Sequence, residues 1–169
     1  MLKKILTAVI PLLILLLPGC TPKNGSSVLD YQNDISSVKA SFTSAGEDFE
    51  IVFSKEAQTV ELTAPSTLSG TVFTKGERGF TVSNGDVSLE LEKSVSAGLE
   101  PIFSAFSLTE QSVSDISKDD GGRTVLTVSQ YGGTYSVILT DGVPTELSYS
   151  GERSFTMSRI GIEYLQNAE

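Results

Sequence analysis

Few side chains in this sequence are equipped for chemistry. The chain of 169 residues has no histidine and no tryptophan, and its one cysteine is Cys20. Without histidine the common nucleophile–base triads lack a member, and zinc loses its usual nitrogen ligand. Ser36-Ser37-Val38-Lys39 has the S-x-x-K spacing of a serine nucleophile and its lysine. That chemistry needs the serine at a helix start and a K-T-G strand downstream. Here the segment has the composition of a strand, and Thr74-Lys75-Gly76 offers the residues in the wrong order. Asp115, Asp119 and Asp120 suggest oxygen ligands for a hard cation. A calcium loop needs alternating ligand positions and about six oxygens or more, which Asp119-Asp120-Gly121-Gly122 does not supply, so a solvated hairpin tip is expected. Glu90 and Glu92, about 7 Å apart if they share one strand face, read as surface charge. No catalytic residue, metal ligand or cofactor is expected, and the chain does not read as an enzyme.

The thiol is the exception. The chain opens MLKKILTAVIPLLILLLPGC, in which Lys3 and Lys4 precede an apolar run from Ile5 to Leu17. That run falls short of the roughly 20 residues of a membrane span and has the layout of a signal peptide. Leu17-Pro18-Gly19-Cys20 closes it and resembles a bacterial lipobox, where a cysteine is diacylated and becomes the new N-terminus. An ordinary signal peptide with an incidental cysteine is the alternative. On the lipobox reading, residues 1–19 are removed, Cys20 is the lipidation site, 20–34 form the lipidated N-terminus and a flexible tether, and 35–169 form a single domain. Two or three acyl chains hold a protein firmly, whereas one myristoyl chain binds at only about 10⁴ M⁻¹. The protein is then expected on a cell membrane, lipid-anchored on the extracytoplasmic side. No disulfide is possible with one cysteine.

Charge agrees with a body held off the surface. Loss of Lys3 and Lys4 leaves 10 basic against 21 acidic residues, moving the net charge from −9 to −11. Such a balance argues against nucleic acid as a partner and against lying flat on anionic lipid.

The remaining pattern is one of strands. Apolar and polar residues alternate through EDFEIVFS, QTVELTA, GTVFTKGERGFTVS and GDVSLELE, so that Phe49, Ile51 and Phe53 share a face, as do Val60 with Leu62, Phe80 with Val82, and Val87 with Leu89 and Leu91. Period-two alternation gives each strand one apolar and one polar face. Strands are expected near 35–43, 48–54, 57–63, 70–75, 78–83 and 86–92. Leu99, Ile102, Phe103 and Phe106 then fall at helical spacing beside Pro101, which predicts a short helix over 99–107. Strands resume near 111–117, 123–130, 134–140, 144–150 and 153–159, and RIGIEYLQNAE follows as a loose tail whose Ile160, Ile162 and Leu165 either extend the last strand or lie over an edge. Asn84-Gly85-Asp86, Asp119–Gly122, Gly132-Gly133 and Asp141-Gly142 supply the turns. The fold class is mainly β: an antiparallel half-barrel of about 10–11 strands, with one short helix covering the concave face.

KGERGFTVS (75–83) echoes SGERSFTMS (150–158), each after a Pro-x-x-Leu-Ser. Two hairpins with the same turn chemistry account for this; the functional alternative is a paired basic rim of Arg78 and Arg153.

Three segments, TAPSTLSGTVFTKGERGFTVSNGDVSLELE, GLEPIFSAF and LTDGVPTELSY, together resemble the lipoprotein carriers and lipoproteins related to the LolA and LolB sorting proteins. The matching positions are Pro65, Leu68 and Gly70, then Gly142, Pro144 and Leu147, within residues 35–159. The resemblance implies an eleven-stranded half-barrel with an apolar concave face under helical segments, a cavity that holds acyl chains in the carriers. This chain differs from the soluble carriers in being lipidated itself.

The expected function is therefore that of a membrane-anchored extracytoplasmic lipoprotein that binds or passes on a lipid or other hydrophobic ligand. The aromatic set Phe49, Phe53, Phe80, Phe103, Phe106, Phe155 and Tyr135 is mostly core, but an open half-barrel cannot wholly fill its inner face. The candidates for lining a ligand site are Phe49, Phe53, Phe80, Leu89, Leu91, Leu99, Ile102, Phe103 and Phe106, with Phe103 and Phe106 as both lid and lining. The alternative is a non-enzymatic interaction, structural or sensor module with a packed interior. No protein partner is specified by the sequence.

Overall fold

The computed structural model describes residues 27–165. The lipobox, Cys20 and the proposed signal peptide lie outside the described residues.

Eleven strands form one antiparallel sheet: β1 (Ile35–Ser44), β2 (Glu47–Ser54), β3 (Thr59–Ala64), β4 (Thr71–Gly76), β5 (Gly79–Asn84), β6 (Val87–Glu90), β7 (Val113–Lys118), β8 (Thr124–Gln130), β9 (Gly133–Thr140), β10 (Val143–Ser150) and β11 (Phe155–Tyr164). Their order across the sheet is β6-β5-β4-β3-β2-β1-β11-β10-β9-β8-β7. Two meanders are thus joined at the centre by β1 and β11, and the chain between β6 and β7 must travel from one edge to the other. It does so through the helix α1 (Lys93–Ser104). Edges β6 and β7 do not pair, so the sheet stays open, as a half-barrel does.

Curvature follows from what α1 touches. The Phe103 ring lies 5.0 Å from the ring of Phe80 on β5, and the carbonyl of Pro101 accepts the Tyr135 hydroxyl of β9 at 2.9 Å. β5 and β9 stand seven places apart in the sheet, about 34 Å if it were flat at ~4.8 Å per strand. One helical turn reaches both only because the sheet is strongly curled. Register shifts in the β1–β11, β9–β10, β2–β3 and β7–β8 pairs supply bends of the kind that curl a sheet.

Those shifts also explain where the alternation changes phase. Phe155 and Met157 face inward on β11, and so do Ile160 and Ile162, because Arg159 between them is bulged out with φ of +52°. Of the two expectations for the tail, extension of the last strand is the one found: the segment continues β11 to Tyr164. Likewise Pro144 and Leu147 are both buried on β10 because the register slips by one residue between them.

Directly opposed residues on neighbouring antiparallel strands share a face, so the inner surface can be followed in rows. One runs Val38–Phe53–Val60–Phe73–Val82–Leu89. Another runs Phe49–Phe42–Met157–Leu147–Val137–Leu126–Ile116. Both are buried at the centre and emerge at the edges, where Leu89 is 61% and Ile116 52% exposed. The helix covers the middle of the concave face and leaves both rims bare.

One end of the half-barrel is closed by the segment just before β1. Leu29 and Tyr31 are buried in the core, in a segment whose sequence, VLDYQNDISS, leaves a helical turn or a lead-in open although 20–34 is expected to act as a tether. Gln32 fixes them: its Nε2 donates to the Leu108 carbonyl at 3.1 Å, and its Oε1 accepts the Leu108 N–H at 2.7 Å. The Tyr31 hydroxyl is buried without a partner among the described residues, and burial pushes its ionisation well above the ordinary value.

Candidate functional site

The helix lies earlier than its apolar spacing predicts, at 93–104 rather than 99–107. Leu99, Ile102 and Phe103 form its inward stripe. Phe106 sits beyond its end, in a turn where Ala105 N–H bonds the Ile102 carbonyl and Ser107 N–H that of Ser104. The first turn, Lys93–Ser96, has only Val95 as an apolar residue, and Val95 is exposed, so nothing in the pattern marks the start. Apolar spacing reports the face that becomes covered, not the bounds of the hydrogen-bonded helix.

Between this stripe and strands β1–β4 is a cleft of ≈ 170 Å³. Its wall is Phe42, Phe49, Ile51, Val60, Leu62 and Phe73 from β1–β4, and its roof is Leu99, Ile102 and Phe103. Every lining side chain is apolar. Phe49, Leu62, Phe73, Leu99 and Ile102 are only half-buried, so the cleft opens to water along that side.

Of the nine lining candidates, Phe49, Leu99, Ile102 and Phe103 meet at this cleft. Phe53, Phe80 and Phe106 instead lie beneath it as packed core: Phe53 and Phe106 stack at 5.9 Å, and Phe103 meets both Phe53 and Phe80 edge-on. Phe106 is buried in this core and does not line the cleft. Leu91 is half-buried against the core, and Leu89 is on the bare β6 rim. Phe42 and Phe73 line the cleft although the sequence pattern does not single them out. The signal for Phe73 is its place in TVFT, and for Phe42 its place in ASFT; alternation puts each on an inner face, but not beside a helix sixty or thirty residues away.

Polar bonds hold the roof. Lys75, the last inward residue of β4, reaches Glu100 of α1 at 2.7 Å, with both side chains about one-third exposed. Such a pair is worth at most about 1 kcal/mol. Tyr135 is wholly buried, and its bond to Pro101 is shielded from water, so it holds more firmly. Burial pushes the Tyr135 phenol well above its ordinary ionisation, with Tyr149 adding to the effect.

The other sequence features resolve into structure. Ser36 lies in strand β1, not at a helix start, and donates its hydroxyl to the Glu163 carbonyl at 3.0 Å. Asp119 binds its own hairpin: its carboxylate accepts from Gly121 N–H, Arg123 N–H and Arg123 Nε at 2.7–2.9 Å. Those bonds hold the Asp119 carboxyl below its ordinary pKa, the Arg123 N–H contributing most. Glu90 ends β6, whereas Glu92 precedes α1, so the two do not share a strand. Arg78 and Arg153 do not pair either. The β4–β5 turn and the β10–β11 turn project from opposite ends of the sheet, because an odd number of strand reversals separates them. Among the described residues no cluster of three or more His, Cys, Asp or Glu could hold a metal ion. None of the described helices is long and apolar enough to cross a membrane.

No family model matches the chain, and no curated protein matches it. Solved structures do. The lipoprotein LppX of Mycobacterium tuberculosis is 12% identical, with a TM-score of 0.44 over 84% of this chain and 94% of that one. A LolA-superfamily protein from Nitrosomonas europaea is 8% identical, with a TM-score of 0.45 over 84% and 93%. An uncharacterised conserved protein from Thermus thermophilus is 12% identical, with a TM-score of 0.41 over 82% and 85%. These are proteins that this eleven-stranded half-barrel is similar to in fold, the second of them described as a member of the LolA superfamily.

Proposed function

We propose that this protein is a lipoprotein, anchored through acyl chains on Cys20 to the extracytoplasmic face of a membrane, whose half-barrel binds a lipid or other hydrophobic ligand. The observation that carries the binding role is the wholly apolar cleft between α1 and β1–β4, half open to water. Apolar surface left wet at the centre of a concave face is costly at roughly 25 cal/mol per Å², and an acyl chain would remove it from water. At ≈ 170 Å³ the cleft is smaller than the roughly 300 Å³ at which whole-ligand pockets begin, so it takes a stretch of one chain while the rest lies along the open side. The anchor rests on Leu17-Pro18-Gly19-Cys20 and the apolar run before it.

The packed interior around β8–β10 favours a second reading. Leu126, Val128, Tyr135, Val137 and Leu147 have no exposed surface at all, as an interaction or structural module would require. Titration separates the two. The chain from Thr21 onward, first checked for cooperative unfolding, is titrated with a fluorescent acyl probe. Lipid binding gives saturable binding that Leu99→Ala weakens. A folded protein with no saturable binding leaves the interaction module.

A further inference from the structure

A cation that plain hydrophobic binding does not use packs on the helix one residue before the cleft's roof. Arg153 sits in the turn between β10 and β11, and its side chain lies across α1 at Gly98. A methyl group added at Gly98 would stand 2.7 Å from Arg153 Cδ and 3.0 Å from Nε. No side chain larger than hydrogen leaves the arginine where it is, so the bare Cα of Gly98 is its seat. The seat lies outside the cleft's own lining but next to it. Gly98 precedes Leu99 of the roof, and Phe155, two residues after Arg153, stacks at 5.3 Å on Phe42 of the wall. Ser44 at the end of β1 pairs with Phe155, so the turn that holds Arg153 is at the same end of the sheet as the β1–β2 turn.

Its charge is unspent. Among the described residues Arg153 takes part in neither ion pair nor hydrogen bond, whereas the roof's own charge, Glu100, is matched by Lys75. The neighbouring Glu152 makes no ion pair with Arg153 either among the described residues. A long arginine stem lying on a helix with its guanidinium free in water is a rim cation beside an apolar slot. The guanidinium fork matches carboxylate and phosphate oxygens and binds them bidentately.

We propose that the ligand is an anionic amphiphile, with its chain in the cleft and its carboxylate or phosphate head on Arg153. This rests on the lipid-binding reading and sharpens it from any hydrophobic ligand to one with a negative head. The overall negative charge of the protein does not prevent it, since exposed charges beyond about 8 Å are screened at physiological salt.

The full chain, reconstituted in nanodiscs of neutral phosphatidylcholine, is photolabelled with two diazirine probes of equal chain length, one a fatty acid and one the fatty alcohol. Labelled peptides from β1–β4 and α1 are quantified by mass spectrometry. The carboxylate probe is expected to label about fivefold more than the alcohol, the ratio that a rim ion pair of about 1 kcal/mol gives. Arg153→Gln and Gly98→Ala should each bring that ratio towards one, with alcohol labelling unchanged. Gly98→Ala is the stronger test, because alanine favours the helix and only displaces the arginine. An alkyl phosphate probe distinguishes the source of the head: stronger labelling than the carboxylate indicates a phospholipid, weaker a free fatty acid, and either supports the site. A wild-type ratio of one, or a ratio unmoved by Arg153→Gln, overturns the anionic head while leaving lipid binding standing. Cleft peptides labelled by neither probe overturn both.

Discussion

The Tyr135 hydroxyl donates to the carbonyl of Pro101 at 2.9 Å, joining β9 to the helix that roofs the opposite half of the sheet. The carbonyl is free because the helix tightens there. Ala105 N–H, which would reach Pro101 in a regular α-helix, bonds the Ile102 carbonyl instead, at 3.3 Å. Tyr135→Phe is expected to cost about 1 kcal/mol and leave one buried carbonyl unpaired. Urea unfolding measures it; an unchanged midpoint shows that the bond does not hold the roof.

The same residue sets an alkaline limit. Burial raises the Tyr135 phenol above its ordinary 10.0, and Tyr31 is raised likewise. A raised folded value means the stabilising form is the neutral one. Its contribution is complete below pH 10.0 and is lost as pH rises beyond it. The melting temperature should therefore fall above that pH, and fall less steeply in Tyr135→Phe. Identical alkaline profiles for the two proteins would remove Tyr135 as the cause.

At the Asp119 hairpin the sign is opposite. The carboxyl is held below its ordinary 3.8 by the N–H groups of Arg123 and Gly121 and by the Arg123 side chain. What it adds to the turn is present above 3.8 and disappears as the solution is acidified through the lower folded value. A carbon-detected NMR titration of Asp119 should give a midpoint under 3.8, and a midpoint above it contradicts those bonds.

The two faces of β2 give a direct test of sheet orientation. Phe53 is 2% exposed and Glu50 is on the outer face. Phe53→Asp buries an unpaired charge and should cost more than about 4 kcal/mol, whereas Glu50→Lys should stay within about 0.5 kcal/mol. Equal thermal shifts would mean the faces are exchanged.

Roof residues should separate folding from binding. Phe103 is 3% exposed among Phe53 and Phe80, so Phe103→Ala should destabilise by about 3–5 kcal/mol. Leu99 is half-buried, and Leu99→Ala should weaken binding of an acyl probe with a much smaller loss of stability. If Leu99→Ala unfolds the protein as Phe103→Ala does, the cleft is core.

For the anchor, intact mass spectrometry of protein from its native host should show Cys20 carrying acyl chains, and Cys20→Ser should abolish them. An unmodified Cys20 in the wild-type protein rules the anchor out.

Alternation alone determined most of the strands and their inner faces, because period two is a local property of the chain. Asn84-Gly85 and Asp141-Gly142 marked hairpins for the same reason: a positive φ is a requirement of the turn itself. Leu17 to Cys20 carried the anchor reading without any fold. Tertiary structure decided what those faces meet. Phe53 and Leu89 belong to one inner row and look alike in sequence, yet one is core and the other is on an open rim, because the helix covers only the middle of a curled sheet. Curvature comes from bulges such as Arg159, which single residues absorb without a distinctive type. The seat of Arg153 on Gly98 joins residues fifty-five positions apart, and no local pattern encodes a contact made only when both meanders close around α1.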